Sequence, residues 1–171
     1  VEHPVTELVY GVDLVALQLA VARGEALPSV MPSARGHAIE ARLYAEDENY
    51  LPQVGKVLDL HFEANEFIRV DTGVESGSEV SVHYDPMIAK VIAYGEDRES
   101  ARRRLAAALR RASVLGLTTN KAVLVAMLED ERFVAGGVST HFLSAWSFEP
   151  VAPALKPLVA AAWLEQRSRE Q

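Results

Sequence analysis

Two segments of the sequence contain charged residues of the types that acid–base chemistry or anion binding requires. The first is the opening heptad VEHPVTE, in which Glu2 and Glu7 lie on either side of Pro4. The second is HAIEARLYA, which contains Arg42. A planar guanidinium matches the geometry of a carboxylate-like anion, so Arg42 is a candidate anion ligand. The heptad has two interpretations: a frayed chain end, or part of an active site whose other residues lie upstream.

Arg42 also has a purely structural interpretation. Apolar and polar residues alternate along HAIEARLYA, which predicts a strand with Arg42, Glu40 and Tyr44 on its polar face. On that face, Arg42 could form a surface ion pair with Glu40 or with a neighbouring strand. The residues of this segment alone leave both interpretations open.

Lys90 lies between Ile88 and Ile92 in the apolar segment MIAKVIAYG. A lysine in such a strand must be paired or must reach an edge of the sheet, because an unpaired buried charge is costly. Asp85 is the candidate partner, just upstream in HYDP. The residue before proline is held extended, so HYDP predicts a rigid corner.

Composition excludes several kinds of site. The net charge of −7 argues against a nucleic acid bound by bulk charge, and the absence of cysteine excludes disulfides and thiol chemistry. No apolar run approaches the ~18 residues of a membrane span. The histidines lack metal-ligand spacing, and phosphate-binding glycine motifs are absent. The arginines between Arg98 and Arg111 have no interleaved aromatic residues, so we predict that they form a solvated or interface face.

Hydrophobic periodicity predicts an α+β fold, an antiparallel sheet or small barrel flanked by helices. A period of two over residues 36–94 indicates strands, and MIAKVIAYG is typical of a central strand. The switch to a helical period near Gly95 predicts helices over 97–115 and 119–134. The remaining predicted elements are a helix from Pro4 to Tyr10, a helix capped by Asp13 and closed by Gly24, a linker over 25–35, the strands KVLDLHFE, EFIRVDTG and SEVSVHYD, a short helix HFLSAW, and a C-terminal helix LKPLVAAAWLEQRSREQ.

Five segments of the sequence carry a resemblance to a known family. They are, in chain order, VEHPVTE, GHAIEARLYAED, LPQVGKV, RVDTGVESGSEVSVHYDPMIAKVIAYGEDRESA and GLTTN. Through them the chain resembles the C-terminal region of the biotin carboxylase module over nearly all of residues 1–145. The sequence is most similar to the biotin-containing α subunit of an acyl-CoA carboxylase of the propionyl, 3-methylcrotonyl or acetyl type.

The resemblance implies three regions and two catalytic residues. Residues 1–24 would be the helical end of an ATP-grasp portion, 36–147 the biotin carboxylase C-terminal domain, and 148–171 a linker and the start of a connecting helix. Glu2 matches the base that deprotonates bicarbonate, and Arg42 matches the residue that stabilises the biotin enolate oxyanion.

Further residues are assigned to the site on the same basis. Val1 matches a residue that contacts bicarbonate through its backbone, while Tyr84, Asp85 and Lys90 are expected as structural residues near the site. No metal ligands are expected.

The resemblance also implies what the chain lacks. In this family MgATP activates bicarbonate and biotin is carboxylated, but the phosphate-binding elements lie upstream and the biotin-attachment motif is absent here. We therefore expect biotin and MgATP only in a full-length parent, and an isolated chain that is inactive. The expected partners are the ATP-grasp portion of the same polypeptide, a biotin carrier domain and a carboxyltransferase subunit, with no nucleic acid or membrane.

Two alternatives and three further expectations remain. The chain could instead be a non-catalytic binding or assembly module that shares the fold, or part of another ATP-grasp carboxylase or ligase. Because the chain starts with Val1, we expect the natural protein to extend upstream, and residues 1–10 to be displaced without it. We expect a cytoplasmic location, or a mitochondrial one in a eukaryote.

Overall fold

The computed structural model describes residues 2–30 and 32–149, which form the predicted α+β arrangement. The predicted C-terminal helix and almost all of the 148–171 region lie outside the described residues. The elements in chain order are α1 His3–Tyr10, α2 Leu14–Ala22, β1 His37–Tyr44, β2 Gly55–Lys56, β3 Asp59–His61, β4 Ile68–Thr72, β5 Glu79–Val80, β6 Met87–Gly95, α3 Arg98–Arg111, β7 Ser113–Leu115, α4 Lys121–Glu129, α5 Glu131–Val134 and a 3₁₀ turn Phe142–Ala145.

The two N-terminal helices have the ends that the sequence predicted. Pro4 lies in the first turn of α1, where its missing N–H costs nothing. Gly11 ends α1 with a φ of 65°, a left-handed conformation that glycine adopts without strain. The Asp13 side chain accepts a hydrogen bond of 2.8 Å from the Ala16 backbone N–H and so caps α2.

Strand β6 is central, as its two apolar faces predicted. It pairs antiparallel with β1 on one side and β4 on the other, in the order β1-β6-β4. One face of this sheet packs on α3, and its core contains Val91, Ala93 and Leu105. At the end of β6 the two elements nearly touch, since a Cβ on Gly95 would lie 2.5 Å from the Ala101 backbone nitrogen.

The predicted antiparallel pairing is confirmed, but the strands are divided among three sheets. Strands β2 and β5 form one small sheet and β3 and β7 another, separate from β1-β6-β4. The segment KVLDLHFE therefore contributes to two sheets, and only Glu79–Val80 of SEVSVHYD is a strand.

The helix predicted over 97–115 ends at Arg111. Ala112 is extended, with a ψ of 131°, and Ser113–Leu115 pairs with Asp59–His61 as a strand. Gly116 is a turn residue with a φ of 98° and not a helix cap. Tertiary pairing with β3 thus overrides the local helical pattern.

The helix predicted over 119–134 is divided at Asp130. The extended Asp130 backbone interrupts it, and the Asp130 side chain accepts a hydrogen bond of 2.9 Å from the Arg132 N–H at the start of α5. The residue at the N-terminal cap position of α4 is Asn120, whose side chain makes no capping hydrogen bond. Asn120 is buried instead as a bridge to β1, because its Oδ1 accepts a hydrogen bond of 3.0 Å from the Tyr44 N–H.

Half of the arginines of α3 are exposed, as predicted for a solvated face, and half are partly buried: Arg103, Arg110 and Arg111 are exposed, whereas Arg98, Arg102 and Arg104 are partly buried. Arg102 donates two hydrogen bonds to the Glu99 carboxylate and a third, of 2.7 Å, to the Leu128 carbonyl. Arg104 stacks on the Phe67 ring at 3.8 Å from its centroid. These side chains hold α3 to its neighbours.

Within the described part of the chain, no single helix has the length and hydropathy to cross a membrane. Helices α1 and α2 pass that test only together, as a pair bent by 100°.

Candidate active site

The second face of the β1-β6-β4 sheet is charged. Residues paired directly across antiparallel strands point to the same face. Arg42 of β1 lies opposite Lys90 of β6, which lies opposite Asp71 of β4, so these three residues form one row across the sheet. The adjacent row contains Glu40 on β1 and Arg69 on β4, with buried Ile92 between them. We call these residues the charged face.

Helix α1 covers the charged face through contacts with β1 and β6. Its Glu7 is only 9% exposed. The Arg69 Nη1 donates a hydrogen bond of 2.7 Å to Glu7 Oε2, and the Leu14 N–H donates one of 2.9 Å to Glu7 Oε1. Burial opposes ionisation of Glu7, but these hydrogen bonds outweigh it and lower the pKa of the carboxyl. Glu7 thus joins α1, α2 and the sheet as a carboxylate.

Arg69 and Lys90 share a second acid, Asp71. Arg69 binds both Asp71 oxygens, at 2.8 and 3.0 Å, and Lys90 Nζ lies 3.3 Å from Oδ2. Hydrogen bonding to Arg69 is the main cause that lowers the pKa of Asp71. The Lys90 side chain is 12% exposed, so Asp71 supplies the partner that a nearly buried ammonium requires.

The two predicted catalytic residues lie together at the open end of the charged face. Glu2 precedes the first residue of α1, and its Oε1 lies 4.0 Å from Arg42 Nη2. Both side chains reach solvent, since Glu2 is 83% and Arg42 47% exposed. A hydrogen bond from its own backbone N–H, with the charge of Arg42 as a smaller cause, lowers the pKa of the Glu2 carboxyl. An acceptor and a guanidinium therefore face the same accessible space.

Glu40 lies beside this pair, on the same face of β1. Its Oε2 is buried and has no hydrogen-bond partner among the described residues. Burial raises the pKa of Glu40, although the nearby charges of Lys90 and Arg42 oppose the shift. Two neighbouring carboxyls at the open end of the charged face therefore have opposite pKa shifts, since the pKa of Glu40 is raised and that of Glu2 is lowered.

A mainly apolar cavity of about 380 Å³ runs along the free edge of β1. Arg42 is one of its lining residues, and Ile39, Val123 and Met127 are among the apolar residues that line it. Within residues 2–30 and 32–149, no group of three or more His, Asp or Glu side chains could hold a metal ion.

The predicted partner of Lys90 is wrong. Asp85 instead accepts a hydrogen bond of 2.8 Å from the Met87 N–H, and no ion pair joins it to Lys90 in the described part of the chain. Tyr84 precedes it on the loop between β5 and β6 and is 84% exposed. Of the three residues expected as structural neighbours of the site, only Lys90 lies in the row of Arg42.

The expected displacement of residues 1–10 is also wrong for α1. Pro4 and Glu7 are buried, and the helix lies against the sheet. The bond between Glu7 and Arg69 supplies an anchor within the chain that the expectation overlooked. Val1, expected as a bicarbonate contact, lies outside the described residues.

Comparison with known proteins identifies the family to which this arrangement belongs. Residues 40–145 match the family model of the biotin carboxylase C-terminal domain. The chain belongs to this family. The biotin carboxylase of Allochromatium vinosum is 44% identical over 146 residues, which cover 84% of this chain and 32% of that protein.

Relatives of the acyl-CoA carboxylase type are also similar. The mitochondrial methylcrotonoyl-CoA carboxylase subunit alpha of Glycine max is 46% identical over 148 residues, covering 84% of this chain and 20% of that protein. The crystal structure of the biotin carboxylase–β,γ-ATP complex from Campylobacter jejuni superposes with a TM-score of 0.82 at 33% identity, covering 85% of this chain and 33% of that one. The chain thus spans about a fifth to a third of the length of the relatives it matches.

Sequence reasoning missed three residues of the charged face, Glu40 as a buried acid, Arg69 and Asp71, and it missed Glu7 on the helix that covers this face. The strand IRVDT places Arg69 and Asp71 two positions apart and so on one face. That spacing, together with the need of Lys90 on the central strand for an acidic partner, could have indicated Asp71 as the partner of Lys90. The contact between Glu7 and Arg69 had no such signal, since 62 residues separate them.

Proposed function

We propose that the chain is the C-terminal part of a biotin carboxylase, within the α subunit of an acyl-CoA carboxylase, that carboxylates biotin with bicarbonate. The observation that carries this proposal is the position of the Glu2 carboxylate, 4.0 Å from the Arg42 guanidinium at the open end of the charged face. The methylcrotonoyl-CoA carboxylase relative supports the acyl-CoA type.

The two residues perform complementary tasks in the proposed reaction. Glu2 is ionised, because its pKa is lowered, and its carboxylate accepts the proton of a bicarbonate placed within hydrogen-bond reach. Arg42 then stabilises negative charge as it develops on an oxygen of the acceptor, an effect worth a few kcal/mol at a preorganised site.

Other groups would come from outside this chain. MgATP activates bicarbonate and biotin receives the carboxyl group, when both are bound. The described residues offer the exposed Arg42 guanidinium for an oxyanion but no glycine-rich loop for phosphates. We therefore propose an ATP-grasp portion of the same polypeptide, a biotin carrier domain and a carboxyltransferase subunit as partners, and an isolated chain without activity.

The test uses the full-length carboxylase subunit and two substitutions. Arg42→Ala is expected to lower biotin carboxylation by about 10²–10³, with ATP binding little changed. Glu2→Gln is expected to lower carboxylation and bicarbonate-dependent ATP cleavage together, because it removes the proton acceptor. Both activities are measured on each variant by product formation.

Arg23→Ala is a matched control for these substitutions. Arg23 is also an exposed arginine with an acidic neighbour, Glu25, at 2.7 Å, but it lies at the end of α2. Its replacement should leave both activities near wild type. If Arg42→Ala did the same, the pair of Glu2 and Arg42 would be only a surface ion pair, and the proposed function would be wrong.

A further inference from the structure

Among the described residues, only Arg69 donates hydrogen bonds both to α1 and to Asp71, the carboxylate in the same row as Arg42. One guanidinium nitrogen binds Glu7 at 2.7 Å, and the other two bind Asp71 at 2.8 and 3.0 Å. All three contacts are charge-assisted, and the bidentate pair fixes the plane of the guanidinium. Arg69 therefore ties the helix to the sheet in one orientation.

The anchored helix is the one that presents Glu2. Glu2 and Glu7 are five positions apart, and α1 begins at the residue after Glu2. Since an α-helix rises about 1.5 Å per residue, five positions correspond to about 7.5 Å of backbone along the axis. A rotation or shift of α1 about Glu7 would carry Glu2 away from Arg42.

The contacts at the two ends of α1 differ in kind. The Glu7–Arg69 contact is a direct hydrogen bond between the nearly buried Glu7 and the partly buried Arg69. The Glu2–Arg42 contact is a 4.0 Å approach between exposed side chains. The Glu7–Arg69 hydrogen bond is thus the shorter and less exposed of these two contacts between α1 and the sheet, and it is the one that fixes where α1 lies over the charged face.

Arg69 also controls the charge next to Arg42. Lys90 lies directly opposite Arg42, and like charges in that relation repel. Asp71 neutralises Lys90 at 3.3 Å, and Arg69 holds Asp71 in place through two bonds. Loss of Arg69 would therefore disturb both members of the reacting pair.

We infer that Arg69 is a positioning residue, which sets the place of Glu2 over Arg42 by clamping Glu7 of α1 to Asp71 of the sheet. This inference rests on the proposed function and adds a residue that does not touch the reacting atoms.

The experiment replaces Arg69 by Met in the full-length subunit. Bicarbonate-dependent ATP cleavage is expected to fall in kcat by about 10- to 100-fold, the effect of misplacing a reacting group by about 1 Å, while the KM for ATP stays unchanged. Arg69→Lys, which can bind Glu7 but cannot form the bidentate contact, is expected to recover part of the rate. A rate in Arg69→Met within twofold of wild type would overturn the inference.

Arg102→Met is the matched control, because Arg102 also donates three hydrogen bonds, on the other side of the sheet. Rates are expressed per folded protein by circular dichroism, well below the melting temperature of each variant. Arg102→Met should keep the wild-type kcat even if it loses stability. Equal losses of kcat in the two variants would show that Arg69 acts through stability alone, and the inference would be wrong.

A double variant distinguishes loss of the positioning of Glu2 from a general loss of activity. In Glu2→Gln, the group that Arg69 positions is already disabled, so adding Arg69→Met should lower the residual rate by less than twofold. A loss as large as in the wild-type background would overturn the inference.

If Arg69→Met does not fold, Glu7→Gln replaces it. The glutamine carbonyl can still accept the hydrogen bond from the Leu14 N–H, but the carboxylate that Arg69 binds is gone. The kcat of Glu7→Gln should fall in the same direction, and a wild-type rate would overturn the inference.

The proposed function fails separately from this inference. Wild-type carboxylation in both Glu2→Gln and Arg42→Ala would remove the proposed function and this inference with it. Defective Glu2→Gln and Arg42→Ala variants beside a fully active Arg69→Met would remove the positioning role only.

Discussion

The two faces of the β1-β6-β4 sheet differ in almost every physical respect, although they belong to the same strands. On the α3 side, Val91 and Ala93 pack with Leu105 in a continuous apolar core. On the α1 side, three charged residues lie in one row across the strands: Arg42, Lys90 and Asp71. Alternation along each strand separates the two sets.

The two faces make different physical contributions, one to the stability of the fold and the other to the geometry of its charged groups. Burial of apolar side chains stabilises a fold without fixing directions closely, because the interaction is roughly proportional to area. Partly buried ion pairs add little net stability, since desolvation offsets their attraction, but their geometry is specific. We therefore expect changes on the α3 side to alter stability and changes on the α1 side to alter position and pH response.

Leu105→Ala tests the α3 side and has the largest expected effect. Leu105 is fully buried, so its truncation should lower the free energy of unfolding by about 2–5 kcal/mol through lost burial and a residual cavity. Chemical denaturation of the wild type and the variant measures the change.

Leu51→Ala is the matched control for Leu105→Ala, because Leu51 is 59% exposed. It should change the free energy of unfolding by no more than about 0.5 kcal/mol. A loss below about 1 kcal/mol for Leu105→Ala would contradict the picture of a tightly packed α3 face.

Asp71→Asn tests the charged face and should have a smaller effect on stability. The amide cannot serve Arg69 and the nearly buried Lys90 as an anion does, so we expect a loss of about 1–3 kcal/mol near pH 7. The pKa of Asp71 is lowered in the folded state, chiefly by Arg69, so its stabilising effect is present above the unfolded pKa of 3.8 and is lost as pH falls through the folded value. The difference between wild type and variant should thus shrink below about pH 4, as measured by denaturation across pH.

Asp85→Asn separates the two candidate partners of Lys90. Its backbone-capping role toward Met87 can be performed by an amide, so its stability should stay within about 0.5 kcal/mol of wild type. If Asp85→Asn were the more damaging change, the assignment of Asp71 as the partner of Lys90 would have to be abandoned.

The sequence predicted the elements whose local signals agree with their tertiary surroundings. Strand β1 and central strand β6 follow from alternation and from an apolar run, and α1 and α2 from Gly11 and Asp13. Prediction failed where a distant partner decided the structure. Ser113–Leu115 continues a helical pattern but pairs with β3, more than 50 residues upstream.

The candidate site shows the same division. Arg42 was found because strand alternation places it on a polar face, and resemblance to the family supplied Glu2. Asp71 was missed in favour of Asp85, which is nearer to Lys90 in sequence but not its partner. Hydrogen-bond partners on separate strands depend on register, which no local pattern of this sequence specifies.

Glu40→Gln has the smallest expected effect, because it changes one buried side-chain carboxyl on the charged face. Burial raises the pKa of Glu40 above 4.5 in the folded state, so its contribution to stability is fully present below the unfolded pKa and is lost as pH rises through the folded value. A glutamine has no such titration. The variant should therefore gain stability relative to wild type between about pH 4 and pH 7, as measured by melting temperature across that range.

Glu66→Gln is the control for this pH dependence, because Glu66 is an exposed glutamate and should give a flat difference from wild type over the same range. A flat difference for Glu40→Gln as well would mean that the Glu40 carboxyl is as well solvated or paired as Glu66. A gain of the opposite sign would mean that Lys90 and Arg42 stabilise the ionised Glu40 more than burial opposes it. The buried carboxyl of Glu40 would then be fully offset by neighbouring positive charges. The charged face would differ from the α3 side in its residue types but not in how its pKa values respond to burial.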